Sequence, residues 1–171
     1  MQRFVFLTLA LTLSAASTVL AAVGAAPADD SAPAATTAAA STTALAPVQK
    51  TEIRDQTAYE RLMHNSGVTL QWLWSDDRGH LVATDKNDVV SIAGTQENAE
   101  GSLAIKGDIV SIDKDRFVFR GTILIVDAPD QGRRCERTGD FEFKATGKRR
   151  YWRLQQMQTC DHLTDYVDIY Y

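Results

Sequence analysis

The sequence predicts a mainly β fold, an antiparallel meander of eight strands closing into a small barrel and preceded by one short α-helix, with a two-sheet β-sandwich as the alternative. Three observations carry this expectation. From Val68 onward, apolar and polar residues alternate in short segments separated by turns rich in Asp, Asn and Gly. Folding neighbouring segments onto one another places the bulky residues on one continuous face. A sheet of that size with one bulky face has exposed edges, and closure into a barrel removes them.

The helix comes first. Thr57 followed by Glu60 fits a capping box, and Ala58, Tyr59, Leu62 and Met63 share one face. Asn65, Ser66 and Gly67 then supply a stop, with glycine free to adopt positive φ. Strands are expected at 68–75, 81–84, 89–94, 102–112, 116–127, 135–145, 149–160 and 165–171.

Pairing the apolar residues fixes an expected register. Trp74 faces Leu81 and Trp72 faces Ala83; Leu81 then faces Ile92, and Ala83 faces Val90. Ile112 faces Phe117 and Val110 faces Phe119. Leu103 and Ile105 meet Ile125 and Ile123 only if one residue is skipped, and Gly107 is the natural bulge. Around Gly147, Phe143 faces Trp152, Phe141 faces Leu154 and Cys135 faces Cys160, with Glu142 opposite Arg153 on the other face. The cationic run GKRRYWRLQQMQTC is therefore a hairpin strand, with Lys148, Arg149 and Arg150 flanking its turn, rather than a nucleic-acid patch.

This domain, residues 50–171, is preceded by two segments of different composition. Arg3, the apolar run from Phe4 to Leu13 and the small residues after it form a signal peptide over residues 1–25. The run is too short for a membrane span, so the mature form is expected to have no transmembrane segment. Residues 26–49 are nearly all Ala, Thr, Ser and Pro and read as a disordered linker. Export to the periplasm or beyond makes the two cysteines, Cys135 and Cys160, a disulfide.

Charge excludes one class of partner. The whole chain carries −4, and without residues 1–49 it has 17 cations and 20 anions, so there is no basic footprint for nucleic acid. No cofactor motif is present, and neither is a Gly-x-Ser-x-Gly elbow. Ser66 lies near His64 without an acid to complete a triad, and His162 with Asp161, Asp165 and Asp168 matches no metal-ligand spacing.

Two surfaces remain as candidates. Trp72, Trp74 and Trp152 with Arg137, Gln156 and Gln158 share the inner face at one end, an aromatic wall with polar groups suited to a small apolar ligand. Leu73, Val82, Val89, Val118, Leu124, Val126 and Met157 point outward and make an apolar surface for the helix and for a protein or other envelope partner. The helix could instead cap a barrel end.

The stretches SGVTLQW (66–72), RRYWRLQ (149–155) and DYVDIY (165–170) resemble uncharacterised exported bacterial proteins of similar size, a resemblance that spans the domain and implies no activity. The expected function is a non-enzymatic envelope protein, a binding, accessory or inhibitor module acting on another macromolecule. The alternative is a small periplasmic barrel that carries an apolar ligand.

Overall fold

A computed structural model describes residues 45–171; the expected signal peptide and most of the expected linker, residues 1–44, lie outside the described residues. The elements are β1 (Glu52–Ile53), α1 (Gln56–Met63), β2 (Val68–Leu70), β3 (His80–Lys86), β4 (Val89–Asn98), β5 (Gly101–Ile112), β6 (Arg116–Val126), β7 (Arg134–Lys144), β8 (Tyr151–Leu154) and β9 (Val167–Tyr170). The fold is mainly β with one short helix. Eight antiparallel strands in the order β2-β9-β8-β7-β6-β5-β4-β3 nearly close into a barrel, and β1 adds to β5 in parallel.

Alternation along each strand creates the interior. In β6, Phe117, Phe119, Ile123 and Ile125 are buried, whereas Val118, Leu124 and Val126 between them are half-buried on the other face. Phe117 stacks on Phe143 at 5.0 Å and meets Trp152 edge-on at 5.4 Å, so aromatic rings occupy the barrel interior. Such edge and offset contacts add about 0.5–1.5 kcal/mol beyond area burial.

The helix begins at Asp55, whose Oδ1 accepts the Ala58 N–H at 2.7 Å, rather than at Thr57. An aspartate in extended conformation satisfies an otherwise orphan first-turn donor, which Thr57 inside the helix could not do. At the other end Asn65 donates to the Leu62 carbonyl, and Gly67 takes φ 111°. Ala58 and Leu62 join the same buried cluster as the barrel interior, and Tyr59 donates to Asp85 at the end of β3. The helix thus seals the interior instead of covering the outer face, and Val82 is left 44% exposed.

Several registers differ from the expected ones by two residues, which preserves the face but changes the partners. Ala83 faces Ile92 and Leu81 faces Gly94, because β3 extends to Lys86 and turns on Asn87 and Asp88 alone, at φ 55° and 64°. Phe143 faces Leu154, not Trp152, because the β7–β8 ladder begins only at Lys144 with Arg153, leaving Tyr151 and Trp152 paired with β9 alone. Strand β8 ends at Leu154, so Cys135 and Cys160 lie outside any shared ladder; they are nonetheless joined, with Cα atoms 5.8 Å apart.

The bulge falls at Val110, not Gly107: Ile109 pairs with Phe119 and Ser111 with Val118. Ile109, not Val110, is therefore the inward residue. Gly107 instead faces Gly121, which faces Gly139. A Cβ on Gly107 or Gly121 would collide with the opposing strand's carbonyl and with the Phe119 ring, so these glycines let the sheet coil tightly over that ring.

The barrel seam lies between β2 and β3. One bridge, Val68 with Gly79, joins them, with N–H···O distances of 3.0 and 2.9 Å. Below it the Gln96 side chain stands in for the missing strand pair. Its Oε1 accepts the Leu70 N–H at 2.7 Å, and its Nε2 donates to the Leu73 carbonyl at 2.9 Å.

Candidate functional site

The seam controls the segment that follows it. Residues 71–75 were expected to continue β2, but the Leu73 N–H bonds back to the Leu70 carbonyl at 2.9 Å and the chain turns. That turn breaks the two-residue alternation. Leu73, expected outside, becomes fully buried, and Trp74, expected inside, is 84% exposed. Trp72 is half-buried, and its indole N–H donates to Asp165 at 2.9 Å.

Trp74 borders a cleft of about 310 Å³ whose other walls include Arg78, Arg153, Asp168, Tyr170 and Gln96. The cleft floor comes from alternation in the last strand: Val167 and Ile169 enter the core, while Asp168 and Tyr170 face the other way. Arg153 on β8 meets Asp168 across the ladder, with Nε and Nη2 each donating at 2.7 Å to a different carboxylate oxygen. That hydrogen-bonded carboxylate holds the guanidinium pKa above its ordinary value, and Arg153 stays a fixed cation. The pairing replaces the expected Glu142–Arg153 contact; Glu142 instead lies 3.4 Å from Arg116. Arg153 also covers the Tyr166 ring at 4.2 Å, and Arg78 covers Tyr170 at 3.9 Å while donating to Ser66. Tyr151 packs beside Tyr170 at 5.1 Å, extending the arginine–tyrosine face along β8 and β9.

The structure separates the other candidates. Trp152 is a core residue, packed 4.2 Å from Tyr171. Gln156 and Gln158, expected on the inner face, are exposed, because β8 ends before them. The Gln156 amide oxygen accepts the Glu142 N–H, and Gln158 donates to Thr164. Val118, Leu124 and Met157 are half-buried, whereas Val82 is exposed.

Arg137 alone among the polar candidates is buried inside. Its Nη1 donates to the Gln156 carbonyl at 2.7 Å and to Thr159 at 2.8 Å, pinning the segment after β8. Burial lowers its pKa, Asp165 at 4.0 Å raises it and Arg133 lowers it; the net direction is down. Asp165 is fully buried and is held mainly by Arg133, at 3.1 and 2.9 Å. Burial pulls the Arg133 pKa down, but hydrogen bonds to Asp165 and Asp161 outweigh it, and the net shift is upward. This cluster fastens the 155–166 excursion to β7. It is a structural clamp, and its carboxylate is fully committed.

Sequence reasoning missed Arg78, Arg153, Asp168, Tyr170 and Gln96 as a group. The signal for two of them was available: Asp168 and Tyr170 alternate with Tyr166 on one face of DYVDIY, beside the strand that carries Arg153.

No solved structure matches the chain. An uncharacterized protein of Pasteurella multocida (strain Pm70), PM1083, is 40% identical over 114 residues, which cover 65% of this chain and 74% of that protein. The family model named for it matches residues 50–171, the whole barrel with its helix, and on that match the chain belongs to the PM1083 family.

Proposed function

We propose that this protein is an exported, non-enzymatic binding module that docks on another macromolecule of the cell envelope through the cleft beside Trp74. The observation that carries the reading is the 84% exposure of that indole on an anchored turn. A buried Trp removes on the order of 150–250 Å² from water, so leaving one exposed forgoes several kcal/mol. Trp, Tyr and Arg are also the residues that dominate binding hot spots, and here they are neighbours.

Export is supported by the signal-like residues 1–25 and by the Cys135–Cys160 bridge, which suits an oxidising compartment. The non-enzymatic reading is supported by the commitment of Asp165 and Asp168 to arginines within the fold. The carrier reading requires interior space, and the inner face is occupied by Phe117, Phe119, Phe143 and Trp152. The outer cleft therefore supports docking better than internal transport.

Co-sedimentation with washed envelopes tests the proposal. The whole protein is expected in the pellet, and Trp74→Ala in the supernatant with an unchanged melting curve. Wild type that stays in the supernatant, or Trp74→Ala that pellets equally, would reject it.

A further inference from the structure

Resting on that binding reading, we infer that the macromolecule is a neutral glycan, one sugar ring of which stacks on the Trp74 indole inside the cleft. The first argument is presentation. The Leu73 carbonyl is held by Gln96 at 2.9 Å, and Asn98 Nδ2 lies 3.5 Å from the Trp74 carbonyl. The buried Leu73 side chain fixes the turn from below. The exposed indole carried on this held turn is a flat apolar platform, and the C–H face of a pyranose is the matching flat apolar surface.

The second argument is charge. Arg78 and Arg153 line the cleft with Asp76 and Asp168, so the formal charges cancel. Arg153 is already closed on Asp168 by two 2.7 Å bonds. A phosphate or carboxylate ligand would find one arginine committed and two carboxylates facing it. A neutral ligand meets no such penalty.

The third argument is hydrogen-bonding character. The Asp168 carboxylate oxygens accept, the arginines donate only, and the Tyr170 hydroxyl does both. A sugar hydroxyl is both donor and acceptor, so a ring edge can satisfy this mixed set whichever group it meets. The volume of about 310 Å³ admits sugar rings.

The test uses nuclease-treated envelopes in four states: otherwise untreated, digested with proteinase K, extracted with chloroform–methanol, and both. Carbohydrate polymer survives both treatments. The whole protein is expected to bind all four alike. Trp74→Ala should bind roughly tenfold or more weakly, and Trp74→Tyr, which keeps a ring, should retain most binding. Because no net charge is matched, affinity should change less than about twofold between about 0.05 and 0.5 M salt. Binding lost on protease digestion would identify a protein partner, and binding lost on extraction a lipid. Either result overturns the glycan inference and leaves the docking proposal standing. Failure to bind untreated envelopes overturns both.

Discussion

Replacing Gln96 should open the barrel seam. Its amide makes two bonds, from the Leu70 N–H at 2.7 Å and to the Leu73 carbonyl at 2.9 Å, and both of those residues are buried. Gln96→Ala leaves one donor and one acceptor unpaired away from water. Each costs about 1–3 kcal/mol, so the loss should be roughly 2–6 kcal/mol, a large share of a typical stability of about 5–15 kcal/mol. Gln96→Leu restores the volume but not the bonds and should lose nearly as much. Gln96→Glu keeps the acceptor for Leu70 and turns a second acceptor toward the Leu73 carbonyl. It should be weak at neutral pH and regain stability in mild acid, where the protonated form donates. Urea unfolding, extrapolated linearly with m unchanged, measures each variant. If Gln96→Ala and Gln96→Leu both unfold within about 0.5 kcal/mol of wild type, the amide does not close the seam and the reasoning fails.

Three further outcomes follow from the same geometry. Substituting serine for both Cys135 and Cys160, 25 residues apart in sequence, should cost about 3.5 kcal/mol by chain entropy, and an unchanged melting temperature would show the bridge to be unimportant. Asp165→Ala removes a fully buried carboxylate from Arg133 and strands that guanidinium; a loss of roughly 3–5 kcal/mol is expected in urea titration, and less than about 1 kcal/mol would mean that water already compensates the pair. Arg120 donates to Asp140 at 2.6 and 2.7 Å and, through that hydrogen bond, lowers its pKa below the ordinary 3.8. A depressed carboxylate stabilises the fold above its unfolded pKa and loses that contribution as pH falls through the folded value. The deficit of Asp140→Asn, about 0.2–1 kcal/mol for a partly exposed pair, should thus be present at neutral pH and vanish in strong acid; a deficit that persists in acid would assign it to packing.

Much of the candidate site was written in the chain but not readable as a site. Alternation identified the 165–171 strand, and a strand that buries Val167 and Ile169 turns Asp168 and Tyr170 the other way. It did not reveal that Arg153 would take Asp168, because that depends on which strand flanks β8 on its far side. The expected partner, Glu142, was drawn from the neighbour on the near side and from a register two residues out. A shift of two keeps every side chain on its face, so hydrophobic pattern alone cannot detect it.

Trp74 marks the sharper limit. Period-two reading of 68–75 placed Trp72 and Trp74 inside and Leu73 outside. One backbone hydrogen bond, Leu73 N–H to the Leu70 carbonyl, reverses the last two assignments. Local chemistry gives no notice of that turn: the chain leaves the sheet where the Gln96 amide, 26 residues beyond Leu70, caps the short strand.

By itself the sequence determined the class of fold, the position of the helix, the neighbourhoods of the turns along the meander and the pairing of its two cysteines, because these depend on local periodicity, turn residues and parity. Only the tertiary structure decided where the barrel closes, where its bulge falls and which indole reaches solvent. Those outcomes depend on how remote strands share one interior and one set of backbone hydrogen bonds, and no window along the chain contains that information.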